Sequence, residues 1–175
     1  MIKGSPVLPD LLTPGLDVVF CGTAAGSVSA ALGQYYAHPQ NKFWRTLHAV
    51  GLTPRQFAPA EFAGLPALGI GLTDIAKHVS GMDNELPPQS LGRDALAALR
   101  ARIAVNAPRI LAFTSLTGGK RFCGPKTSFG EQEQRIGATR IWVLPSPSPA
   151  AHWNWNESAW RALAQQVRSG RGDEP

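Results

Sequence analysis

Four short apolar runs punctuate the chain, each closed by glycine, proline or a polar residue. Asp17-Val18-Val19-Phe20-Cys21 stops at Gly22 without polar alternation, the pattern of a strand buried on both faces of a parallel sheet. Leu68-Gly69-Ile70-Gly71-Leu72-Thr73 reads as a shorter strand whose glycines let another backbone or a ligand come close. Ile110-Leu111-Ala112-Phe113 and Ile141-Trp142-Val143-Leu144 complete the set, the last ended by Pro145. Between them the apolar spacing turns helical. Phe43, Trp44, Leu47 and Val50 mark a helix opening near Asn41 and stopping at Gly51. Leu96, Leu99 and Ile103 mark another, which carries Arg93, Arg100 and Arg102 on a solvated face and ends before Pro108. Ser115 caps a short helix towards Phe122, followed by a loop through Gly124, Pro125, Ser128 and Gly130. Trp160, Leu163 and Val167 fit a last helix from near Asn156.

Strands alternating with helices predict an α/β fold, a mainly parallel four-stranded sheet with helices on both faces. Ligands bind such sheets at the carboxyl ends of the strands, so the informative loops follow Cys21, Thr73, Phe113 and Leu144. Length allows one domain, taken as 1–168, with 169–175 a flexible polar tail. Composition adds little beyond this. At 43% hydrophobic residues the chain can bury a core, and 17 Lys and Arg against 12 Asp and Glu give a net charge of +5. An anionic partner is then plausible, nucleic acid first, although the same excess occurs in proteins without one. Cys21 and Cys123 supply neither a disulfide framework nor four thiolates for a cluster, and read as buried thiols. The first residues lack a signal peptide's apolar run and no stretch is long enough for a bilayer, so a cytoplasmic protein without membrane contact is expected.

Three loops carry chemistry. Gly22-Thr23-Ala24-Ala25-Gly26-Ser27 follows a strand with small residues only, so backbone N–H groups can face a ligand; it matches neither the P-loop nor the dinucleotide pattern, and a plain strand-to-helix turn explains it equally well. Tyr35 to Trp44 combines aromatics, a proline turn and Lys42. Phe43 and Trp44 fall on the apolar stripe and belong to the core, which leaves Tyr36 as the residue for stacking on a base. Leu144-Pro145-Ser146-Pro147-Ser148-Pro149-Ala150-Ala151-His152-Trp153 is stiffened by alternating prolines and offers hydroxyls to phosphates. A rigid loop of this kind can press into a DNA groove with little loss of entropy.

Taken together and in order, Pro14 to Gly22, Ala37-His38-Pro39-Gln40-Asn41-Lys42-Phe43-Trp44 and Ile141 to Ser148 resemble the mismatch-specific uracil-DNA glycosylases, relatives of the thymine-DNA glycosylases. The resemblance runs from about Leu12 to the final helix. It implies a three-layer α/β/α sandwich acting as a monomer without metal or cofactor, its partners being DNA with uracil or another mismatched or deaminated base and the abasic product. The base must be flipped out, since its glycosidic bond cannot be reached inside the stack. By the same resemblance Gly22, Thr23, Ala24 and Tyr36 bind the base and His38 shapes the pocket wall. Asn41, Lys42, Ser146, Pro147, Ser148, Pro149, Ala150 and His152 fall to the DNA.

Two departures matter. The family's first loop reads Gly-Ile-Asn-Pro-Gly and its Asn helps to position the attacking water; this chain has Ala24 there, and a methyl can do neither that nor proton transfer. Asp74 in Gly71-Leu72-Thr73-Asp74-Ile75 is the replacement, because glycoside-cleaving sites use carboxylates to stabilise an oxocarbenium-like sugar or to activate water. Its competing reading is a cap for a helix starting at Ile75. His78 has a functional and a loop reading, and His48 sits mid-helix. In the insertion loop the family's Asn-Pro-Ser-Gly-Leu becomes Ser146-Pro147-Ser148-Pro149-Ala150, so a leucine wedge is lost. His152 or Trp153 replaces it, or anchors the loop in the core. A weaker wedge favours uracil that is already unpaired, in single strands or mismatches. None of Lys42, Lys77, Lys120 and Lys126 stands out as a lyase amine, so a monofunctional glycosylase is expected. The alternatives are a catalytically silent binder of damaged or abasic DNA, a glycosylase for hypoxanthine, and a mononucleotide-binding domain.

Overall fold

The computed structural model describes residues 4–172. The four apolar runs form β1 (Val18–Gly22), β2 (Ile70–Asp74), β3 (Ile110–Phe113) and, with β4 (Gly130–Ile136) before it, β5 (Thr139–Val143). Around them lie α1 (Ser27–Leu32), α2 (Phe43–Ala49), α3 (Arg93–Asn106), α4 (Leu116–Cys123) and α5 (Glu157–Gly170). The sheet order is β2-β1-β3-β5-β4, parallel except for β4, which runs antiparallel to β5. The expected α/β class therefore holds, with five strands in place of four. β4 was hidden because Glu131-Gln132-Glu133-Gln134-Arg135 has no apolar face; only Ile136 is buried. The backbone ladder of a hairpin turning at Gly137 makes it a strand, and Glu131 pairs with Arg140 across it.

Because strand side chains alternate, each central strand feeds two cores. Val18, Phe20, Ile110 and Ala112 face Phe43, Leu47, Trp160 and Leu163 of α2 and α5. Val19, Cys21, Leu111 and Phe113 face Leu99 and Ile103 of α3, with Leu116 and Phe122 of α4 at the margin. Phe20 stacks on Trp160 at 5.6 Å and meets the edge of Phe43 at 5.4 Å. Each such buried side chain contributes about 1.5–3 kcal/mol. Helices thus flank both faces of the sheet.

Local readings fared unevenly. Ser115 Oγ accepts from the Gly118 amide and Asn156 Oδ1 from the Ser158 amide, the expected caps of α4 and α5. α1 was not anticipated, being six residues with no apolar stripe. α5 continues to Gly170, and Arg171 donates to Asp17 at 2.7 Å and to the Leu68 carbonyl at 2.9 Å. Helix thus runs through Ser169 and Gly170, and Arg171 is held against the domain, where a flexible tail was expected, while 173–175 lie outside the described residues. Cys21 is buried as expected, whereas Cys123 is only half-buried. Among the described residues no helix is long and apolar enough to cross a membrane.

Ahead of β1 the chain runs back along β2. Leu11 and Leu72 exchange backbone hydrogen bonds at 2.9 and 3.1 Å, and the Val7 amide donates to the Lys77 carbonyl. Gly71 makes this approach possible, since a methyl there would lie 2.5 Å from the Leu11 oxygen and 2.6 Å from Leu16 Cδ1. Gly71→Ala should therefore cost about 1–3 kcal/mol of stability, read as a lower urea midpoint at unchanged slope. An unchanged midpoint would show that the segment gives way freely.

Candidate active site

Four parallel strands deliver their carboxyl ends to one edge, at Gly22, Asp74, Phe113 and Val143. There the loop after β1 is laced to the loop after β2. The Ile75 amide donates to the Gly22 carbonyl at 2.9 Å, Ala76 to Thr23 at 2.8 Å and Gly81 to Ala25 at 2.9 Å. Two cavities, one of about 280 Å³ beside Arg109 and Arg140 and another beside Asp17 and Arg171, open at the opposite edge and include none of the candidate site residues.

Asp74 stands level with Gly22 in the parallel ladder. A methyl on Gly22 would lie 2.6 Å from Asp74 Oδ1 and 3.6 Å from the Tyr36 hydroxyl, so glycine leaves exactly the space in which the carboxylate sits against the first loop and Tyr36. The residue is 5% exposed. No helix starts at Ile75, which removes the capping reading. Among the described residues no group donates a hydrogen bond to the Asp74 carboxylate. Burial pushes its pKa up from 3.8 to about 6; Lys77 and Arg102 pull it down and Asp10 pushes it up. A buried, unpaired carboxyl with a raised pKa is a frequent mark of an active site.

Tyr36 holds a left-handed backbone, φ 50°, a conformation that an aromatic residue adopts at a cost. Its ring stacks on Phe43 at 3.9 Å and 20°, and its hydroxyl meets Thr114 Oγ1 at 3.0 Å. Burial, then Asp74, drives the phenol's pKa upward, so it stays protonated. Phe43 and Trp44 are core, as the apolar stripe required. Phe43 covers one face of the Tyr36 ring.

The remaining candidates spread along this edge. The Thr23 hydroxyl donates to Asp83, and Ala24 packs half-buried on the core shared with α3. His38 is exposed and its Nδ1 accepts from the Gln40 amide; Asn41 Oδ1 accepts from the Phe43 amide and starts α2. The Lys42 amide donates to the Pro147 carbonyl at 2.9 Å, joining the second and third loops, and its ammonium lies 5.6 Å over Trp155. Ser146 and Ser148 accept from the amides of Ser148 and Ala150, each keeping a hydroxyl proton to donate. Pro149–Asn154 forms a 3-10 turn on which Ala150 and His152 are exposed and Trp153 is 74% exposed. The anchoring is done by Trp155 and Trp160, 5.9 Å apart, so Trp153 is not held in the core. His48 and His78 lie exposed, and His48 contacts only the Thr53 carbonyl among the described groups.

Sequence reasoning passed over Thr114, which directly follows β3 at an edge already marked as informative. It also missed Asp10, which gathers Lys77 and Arg102, and it set Arg102 on a solvated face, whereas Arg102 is half-buried, unlike the exposed Arg93 and Arg100. Among the described residues no group of three or more His, Cys, Asp or Glu could hold a metal ion.

This edge thus sets a buried carboxylate across from a glycine-rich loop, with a proline-rich loop beside it. Residues 9–166 match the Uracil DNA glycosylase superfamily, and the chain belongs to that superfamily. Among solved structures, the solution structure of a protein from Methanosarcina acetivorans, provisionally described as a uracil DNA glycosylase, is similar to it. The match has 24% identity and a TM-score of 0.63, and covers 96% of this chain and 99% of that one, a likeness of fold. Superfamily membership supports DNA glycosylase chemistry, a hydrolytic reaction on DNA.

Proposed function

We propose that the protein is a monofunctional DNA glycosylase that flips uracil, or another deaminated base, out of DNA and hydrolyses its N-glycosidic bond to start base-excision repair. The observation that carries this reading is the buried, unpaired Asp74 carboxylate beside Gly22 and the Tyr36 hydroxyl. The base leaves with the electron pair of the C1′–N bond, and positive charge develops on the sugar. Asp74 stabilises that charge, and water adds to C1′ with loss of a proton. Tyr36 covers the base while Gly22, Thr23 and Ala24 present backbone to its edge. His38 shapes the rim, Asn41 and Lys42 approach the DNA backbone, and Ser146 to His152 hold the strand. The protein acts as a cytoplasmic monomer and releases abasic DNA.

The test is a base-excision panel on uracil, thymine-mismatch and hypoxanthine oligonucleotides, followed by alkaline cleavage. Strand breaks at uracil support the reading, and breaks at hypoxanthine alone move the substrate. Binding without breaks replaces the enzyme with a silent damage binder, a reading that rests on Ala24, where the family places its water-positioning Asn.

Ala150 is too small to hold a base pair open. The exposed Trp153 on the same turn is the wedge in this reading. Trp153→Ala is expected to slow uracil release from matched duplex by about tenfold, since unstacking costs a few kcal/mol, and to leave single-stranded uracil nearly unaffected. Equal losses on both substrates in single-turnover assays would sink the wedge. Native protein should process single-stranded and mismatched uracil readily.

A further inference from the structure

Arg102 donates to the Asp74 backbone oxygen and Lys77 follows three residues later, yet among the described residues neither cation is hydrogen-bonded to the Asp74 carboxylate. Lys77, three residues beyond Asp74, places its ammonium 2.7 Å from Asp10 Oδ1, and the Arg102 Nε lies 3.3 Å from Asp10 Oδ2. Arg102 reaches Asp74 only through its backbone oxygen, at 2.9 Å. Thr73, next to Asp74 on β2, donates to Asp10 Oδ1, the oxygen paired with Lys77, at 2.7 Å. Lys77 has a further partner in the Tyr35 hydroxyl at 3.2 Å, which itself donates to the Pro9 carbonyl. The cluster is largely withdrawn from water, the Lys77 side chain being 10% exposed and those of Asp10 and Arg102 each 23%.

From this geometry, and resting on Asp74 as the catalytic carboxylate, we infer that Asp10 is a positioning residue that holds Lys77 and Arg102 off the Asp74 carboxylate. A lysine without its own carboxylate partner gains by pairing with another within reach of its side chain. A carboxylate so paired has its charge neutralised by the ammonium and no longer attracts a cationic sugar. Asp10 removes that competitor and clamps the end of β2 through Thr73. The titratable groups whose charge bears on Asp74, or on which it bears, are Cys21 from β1, Tyr35 and Tyr36 from the segment after α1, Lys77 beyond β2, Arg102 from α3 and Asp10 from the initial segment. Cys21 and both tyrosines are held protonated by burial, so the balance of charge rests on Asp10, Lys77 and Arg102.

The test combines a carboxyl carbon-13 NMR titration of Asp74 with single-turnover uracil release against pH, in the intact chain. Asp10→Asn frees Lys77 to pair, and should lower the Asp74 midpoint by about one pH unit or more while cutting uracil release at least about tenfold on the plateau. Lys77→Met should raise the midpoint, and Lys77→Arg should restore it. Opposite shifts in the first two variants are the signature of a charge arrangement, which a merely structural role would not produce. Unchanged Asp74 midpoints in both overturn the inference, and Lys77→Met decides alone if Asp10→Asn does not fold. If the midpoints shift as stated while the acid limb of the rate profile stays put, the arrangement stands and Asp74 loses its catalytic assignment.

Discussion

Asp74→Asn is expected to slow base release by about 10²–10⁴-fold and, at neutral pH, to make the protein more stable. Both effects come from the same burial. With a folded pKa of about 6 against an ordinary 3.8, the carboxyl is neutral in folded and unfolded chains only well below pH 3.8, where burial carries no ionic penalty. As pH rises towards and through 6 the unfolded chain ionises first, and stability falls. By pH 7 the difference amounts to about 3 kcal/mol. Asparagine removes it, so unfolding curves of the variant and the native protein should separate at pH 7 and converge at about pH 3. Native activity should rise through about pH 6 and then level off, as the ionised form accumulates. DNA binding measured by gel shift should persist in the variant. Native-like release by Asp74→Asn would end the catalytic assignment, and equal stability at pH 7 would show that the carboxyl is better solvated than its burial implies.

The second large effect belongs to Gly22→Ala. A methyl 2.6 Å from Asp74 Oδ1 cannot be accommodated unless the carboxylate swings away, and β1 is fixed between two neighbouring strands. Displacing a catalytic group by about 1 Å can cost on the order of 10²-fold in rate, and an overpacked interior loses about 1–3 kcal/mol. We expect kcat to fall by about 10²-fold with KM little changed. Gly26→Ala is the control, because nothing lies within 4 Å of a methyl there. A Gly22→Ala enzyme with native kcat would mean that Asp74 has room to move without consequence.

How much of this was legible beforehand depended on whether the information was local. β1, β2, β3 and β5 were readable because strands buried on both faces are apolar without interruption, and their ends marked Asp74 and the first loop. β4 was not, because its backbone pairing needs nothing from its polar side chains. Asp10 was out of reach for another reason. Its partners Thr73 and Arg102 lie far along the chain, and only the antiparallel return of the first residues along β2 brings them together. Trp153 was readable only as a choice between wedge and anchor; the placement of Trp155 against Trp160 decided that it is not an anchor. The left-handed backbone at Tyr36 left no mark in the sequence, since glycine or asparagine would normally signal it.

Leu11 also closes the sheet to strangers. An open edge strand offers a row of backbone donors and acceptors on which another chain can build. β2 ends the ladder on one side, yet part of its outer row is taken by the protein's own first residues. On the other side β4 carries Glu131, Glu133 and Arg135, all exposed, and charge deters pairing there. With one edge partly occupied and the other guarded, edge-to-edge aggregation is disfavoured on both sides of the sheet.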